Sequence, residues 1–141
     1  MGLFDKLRGS TEINLSPRAA MLLACLSMVG ADGEFDDDEI AIIYRIDGEQ
    51  RTRAWDQALD AWRRMRSPTD CVKLVAARLD PEQRRFTLAN LFDIAMADGF
   101  LEGAEQALLE MYLEAFDADP AFVEALCDVI GTKNNRSRFT Q

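Results

Sequence analysis

The sequence predicts an all-α domain of about seven helices, built as two pseudo-twofold-related halves. Three observations carry that reading. Each of the four prolines follows a serine or an aspartate: Ser16-Pro17, Ser67-Pro68, Asp80-Pro81 and Asp119-Pro120. A capping oxygen followed by proline at the first helical position marks a helix start, because proline lacks a donor that this position leaves unused. No segment alternates apolar and polar residues with β-branched enrichment, so no sheet is expected. Finally, Ala-Asp-Gly occurs twice, with Asp32 and Gly33 standing 66 positions before Asp98 and Gly99, and each glycine has a glutamate six residues on, Glu39 and Glu105.

Taken in order, the first helix starts near 17, with Leu22, Cys25, Leu26 and Val29 at three- and four-residue steps. The second starts near 37, after the first acidic turn. The third starts near 51 and carries Trp55, Leu59 and Trp62 on one face, with arginines on the other. The fourth starts near 68. The fifth starts near 81, where Asp80 and Gln83 form a capping box, and its stripe runs through Phe86, Ala89, Asn90 and Asp93 beside Leu88, Leu91, Phe92 and Ala95. The sixth starts near 103 with Leu108, Leu109, Tyr112, Leu113 and Phe116, and the seventh near 120. Helix, acidic turn and helix thus appear at 17–46 and again at 81–116. Residues 16–131 are expected to form the domain, 1–15 an amphipathic, loosely held segment and 132–141 a flexible basic tail.

A chain of 141 residues with 48% hydrophobic content fits one globular domain. Histidine is absent, which removes the Ser-His-Asp triad, the Cys-His dyad and imidazole zinc sites. Neither a Walker-type loop nor G-x-G-x-x-G occurs. Paired carboxylates on helix corners lack the aromatic platform of a glycosidase, so no enzyme is expected. Cys25, Cys71 and Cys127 are scattered without a C-x-x-C pair. They read as reduced core thiols, which places the protein in the cytoplasm. No apolar run reaches the length of a membrane span and no secretory leader is seen. Weak contact with a membrane surface through Leu3, Phe4 and Leu7 is compatible with the first residues, as is docking onto the domain itself.

The net charge of −9 is concentrated. Residues 31–50 hold eight carboxylates against one arginine, and residues 87–130 hold ten with no basic residue. These two blocks contain the repeated motif. Such a field disfavours nucleic acid and attracts cations or a basic protein partner. The one basic stretch, 51–66, reads as an amphipathic helix whose arginines pair with the acidic neighbours at 31–49. Met21, Met28, Met96 and Met111 read as core filler.

The repeated turn partly matches a calcium loop. Asp32, Gly33, Phe35 and Glu39 fit the fifth, sixth, eighth and twelfth places, as do Asp98, Gly99, Leu101 and Glu105. The first and third places would be Met28 and Gly30, then Ile94 and Met96, which supply no side-chain oxygen. An EF-hand is therefore not expected. Two readings stay open. The turns are corners only, with Gly33 and Gly99 ending one helix and a capping box at Asp36 and Glu39, weaker at Glu102 and Glu105, starting the next. Alternatively, a pseudo-twofold gathers Asp32, Glu39, Asp98 and Glu105, with Asp36, Asp37, Asp38 and Glu102 nearby. Clustered carboxylates repel one another and favour a hard divalent ion, Ca²⁺ or Mg²⁺.

Paired Ala-Asp-Gly turns, each followed by glutamate, in a small all-α chain opening with "MGLFDKLRG", resemble the TerB family of tellurite-resistance proteins. The resemblance spans about residues 1–130 and centres on "MVGADGEFDDDE" and "AMADGFLEGAE". It implies a compact helical domain of two related halves, associated with resistance to tellurite and other stresses. It also implies acidic residues proposed to hold metal, which by motif position are Asp32, Glu39, Asp98 and Glu105. Two residues depart from a symmetric repeat: Gly103 in the first turn of the second motif helix, and Glu102 in place of Asp36.

Overall fold

The structure is a computed structural model that describes residues 13–32, 37–48, 53–65, 67–97 and 103–135. Among these residues there are seven α-helices and no strand: α1 Pro17–Val29, α2 Asp37–Ile46, α3 Arg53–Arg64, α4 Pro68–Arg78, α5 Pro81–Ala95, α6 Gly103–Ala115 and α7 Pro120–Asn134. The expected all-α architecture is present. All four proline starts carry the expected cap. Ser16 Oγ accepts from the Ala19 amide at 3.2 Å, and Ser67 Oγ from the Asp70 amide at 3.2 Å. Asp119 Oδ1 accepts from the Ala121 amide at 3.1 Å. Asp80 and Gln83 close the capping box in both directions, at 2.8 and 2.9 Å.

Helix α1 is the axis of the fold. The single apolar stripe expected of it is too narrow, because every residue from Ala19 to Val29 is buried. A helix packed on all sides is apolar on all sides, and α2, α3, α4 and α5 surround this one. Against it, α3 sets the alanine seam Ala54, Ala58 and Ala61 as its buried face, with Trp55, Leu59 and Trp62 half-buried to either side. The tryptophans therefore flank the contact rather than fill it. Arg64 of α3 pairs with Asp60 one turn back, at 3.3 Å. On α5 the buried face is Thr87, Leu88, Leu91, Phe92, Ile94 and Ala95, while Phe86 is 55% exposed. The second of the two stripes read from the sequence is thus the core-facing one.

The repeat holds at the level of elements. Helix α1 ends at Val29 and α5 at Ala95; α2 begins at Asp37 and α6 at Gly103. Both pairs carry the 66-residue offset of the motif. Contacts are reciprocal as well: α1 packs on α2, α3 and α6, and α5 packs on α6, α7 and α2, with α1 against α5 between the halves. Helix α4 has no counterpart and wedges between α1 and α6.

The ends are tied in further than expected. Leu15 is buried and Ile13 packs on the core, and the Ser16 amide donates to Gln57 Oε1 at 3.1 Å. Helix α7 continues to Asn134, three residues past the expected boundary. Lys133 Nζ reaches Asp93 at 2.9 Å, and Asn134 Nδ2 donates to the Met96 carbonyl at 3.3 Å. Of the expected amphipathic segment 1–15 and basic tail 132–141, residues 1–12 and 136–141 lie outside the described residues.

Candidate cation site at the paired acidic turns

Each motif glutamate occupies the third position of its helix, Glu39 in α2 and Glu105 in α6. A carboxylate in the first turn complements the positive end of the helix dipole. Asp37 opens α2 and is exposed. Asp32 closes a short 3₁₀ turn, Gly30–Asp32, that continues directly from α1. Gly33, Asp36, Asp98, Gly99 and Glu102 lie outside the described residues, as do the side chains of Asp32, Asp38 and Glu39. Of the four carboxylates expected to converge, only Glu105 has a described side chain, and it is half-buried.

The backbone nevertheless relates the two motifs. The Gly30–Asp32 turn packs against α6, the helix that begins the second motif and carries Glu105. Gly30 and Ala31 share one cleft with Ala104 and Ala107 of α6. Asp32 thus follows a residue on one wall of that cleft, and Glu105 follows a residue on the other. Gly103, the departure noted at the start of α6, has open space where a Cβ would stand.

The cleft itself is about 380 Å³ and largely apolar, and Trp62, Met65 and Met111 also line it. Its lining also includes Ser27 and Cys71, which belong to a buried chain of polar groups that sequence reading did not find. Ser27 Oγ donates to the Ala24 carbonyl at 2.6 Å, so it accepts from the Tyr112 hydroxyl at 2.7 Å. The Tyr112 proton being used there, the Cys71 thiol is the donor in its 3.8 Å contact with the Tyr112 oxygen. A lone serine inside an otherwise apolar helix was the available signal. Burial pushes Cys71 up, and burial pushes Cys25 up to about 12. Both thiols therefore stay protonated at neutral pH and are poor nucleophiles. All three cysteines are free.

No helix among the described residues is long and apolar enough to cross a membrane. No curated protein and no solved structure matches the chain. The family model for Tellurite resistance protein TerB matches residues 46–127, more than half of the sequence. That stretch contains the second acidic turn and starts after the first. With the all-α fold and the matched range together, the chain belongs to the TerB family.

Proposed function

We propose that this TerB-family protein is a non-enzymatic, cytoplasmic stress-resistance protein of the tellurite-resistance type. In this reading it holds a divalent cation, Ca²⁺ or Mg²⁺, between its two acidic turns. The observation that carries the reading is the packing of the Gly30–Asp32 turn against α6, the helix bearing Glu105. A hard cation needs oxygen ligands from several points on a frame, and carboxylates gathered without one repel. The paired placement of Glu39 and Glu105 at the third helical position supports the same reading.

Melting tests it. A bound ion stabilises the folded state by about 2.7 kcal/mol at a hundredfold excess over its dissociation constant. The protein should melt hotter with Ca²⁺ or Mg²⁺ than with chelator at constant ionic strength, and Asp32→Asn with Asp98→Asn should erase the difference. Identical melting in both conditions would sink the cation reading. It would leave the acidic surface as a recruiter of a basic protein partner, in which case replacing Asp36, Asp37, Asp38 and Glu39 by neutral residues should abolish capture.

A further inference from the structure

We propose that the cavity between the first turns of α5 and α7 binds a small monocarboxylate with an apolar body. It is about 230 Å³, and its lining includes Arg84, Arg85, Leu88, Phe116 and Phe122. Each arginine is placed over an aromatic ring: Arg84 Cζ lies 5.7 Å from the centroid of Phe116 and Arg85 Cζ 5.5 Å from that of Phe122. A guanidinium over a ring can still turn N–H groups to a carboxylate, which they fit as a fork, and the exposed Arg85 is the one of the two with an uncommitted edge among the described residues. Arg84 Nη2 is spent on the Ala76 carbonyl at 2.7 Å, which fixes that side chain in place. Arg84 Nε is the one buried side-chain nitrogen or oxygen among the described residues without a hydrogen-bond partner. Among the described residues neither arginine forms an ion pair, although Asp117 and Asp119 also line the cavity. Asp119 is committed to capping α7, and Asp117 is exposed.

The lining selects among anions. Two aspartates beside two arginines oppose a doubly charged phosphate more than a singly charged carboxylate. Phe116, Phe122 and Leu88 give an apolar body somewhere to lie, and the volume limits it to roughly one ring or a short chain. The site stands apart from the acidic turns and does not depend on the cation.

Sodium benzoate is the probe, with benzamide as its uncharged counterpart and inorganic phosphate as the competing anion, all at constant ionic strength. The readout is the arginine Nε–Hε signals in ¹⁵N-labelled protein. Benzoate should move the Arg84 and Arg85 signals saturably, and should bind at least about tenfold more tightly than benzamide or phosphate. Arg85→Gln should weaken benzoate binding by about tenfold or more. Arg85 is exposed, so this variant should melt like the parent; Arg85→Lys, which keeps charge but not the fork, should bind with intermediate strength. Absence of a saturable shift, benzamide binding as tightly as benzoate, tighter binding of phosphate, or an unaffected Arg85→Gln would each overturn the proposal.

Discussion

A serine inside a helix buried on every side must send its hydroxyl to a partner, and Ser27 sends it to the Ala24 carbonyl while receiving Tyr112. Tyr112 is fully buried and stands between Ser27 and the Cys71 thiol, so it joins α1, α4 and α6 through one oxygen. Tyr112→Phe keeps the ring and its tilted packing on Phe116 at 5.5 Å. It removes the acceptor for Cys71 and the donor to Ser27. The expected loss is about 1–2 kcal/mol, seen as a lower melting temperature in calorimetry. The effect is bounded because Ser27 keeps its bond to Ala24. An unchanged melting temperature would mean that the buried chain contributes nothing. Sequence alone did not reveal this chain, because its members are separated by 41 and 85 positions. The caps were legible, by contrast, because a cap and the amide it serves lie within three residues of each other.

Helix α2 shows what holds an element that has little core of its own. Its one fully buried apolar side chain is Ile43, with Ile42 and Ile46 half-buried. Its C-terminus is latched instead. Arg18 Nε donates to Asp47 Oδ1 at 2.8 Å, and Arg18 Nη2 donates to the Asp47 carbonyl at 2.6 Å. Asp47 is 1% exposed, while Gly48 takes the left-handed conformation at φ 78° and ends the helix. Arg18→Ala leaves a buried carboxylate without that partner. The expected cost is about 1.5–3 kcal/mol, at the level of a hydrogen-bonded charged group rather than a fully buried pair, because Arg18 is half-exposed. Hydrogen exchange should locate the loss in α2, with amides of residues 40–46 exchanging faster while α1 stays protected. Uniform acceleration across all helices would contradict a local latch. This pairing was not legible either, since Arg18 and Asp47 are 29 positions apart and read as ordinary surface charges.

At the scale of the whole molecule, the element order and the 66-residue repeat were legible because both are written in local signals: proline starts, glycine turns and apolar steps. What was not legible is which face each helix turns inward. That depends on neighbours, as the all-round burial of α1, the alanine seam of α3 and the choice between two stripes on α5 show. The core they enclose places three weak acids out of water. Burial pushes Cys25 from the usual 9.0 to about 12, raises Cys71, and raises Tyr112 well above its ordinary value. A raised folded-state pKa means that the native protein keeps a proton that the unfolded chain releases. The associated stability is fully present below pH 9 and is lost as pH rises from 9 toward 12. Each such group contributes a slope of about 1.4 kcal/mol per pH unit within its window. Urea unfolding followed from pH 7 to 11 should therefore show a plateau to about pH 8.5 and then a steepening fall. Cys25→Ala should start less stable, because it empties core volume. It should then fall less steeply above pH 9, since one titrating group is gone. Equal alkaline slopes in the two proteins would show that the buried thiol does not couple folding to pH.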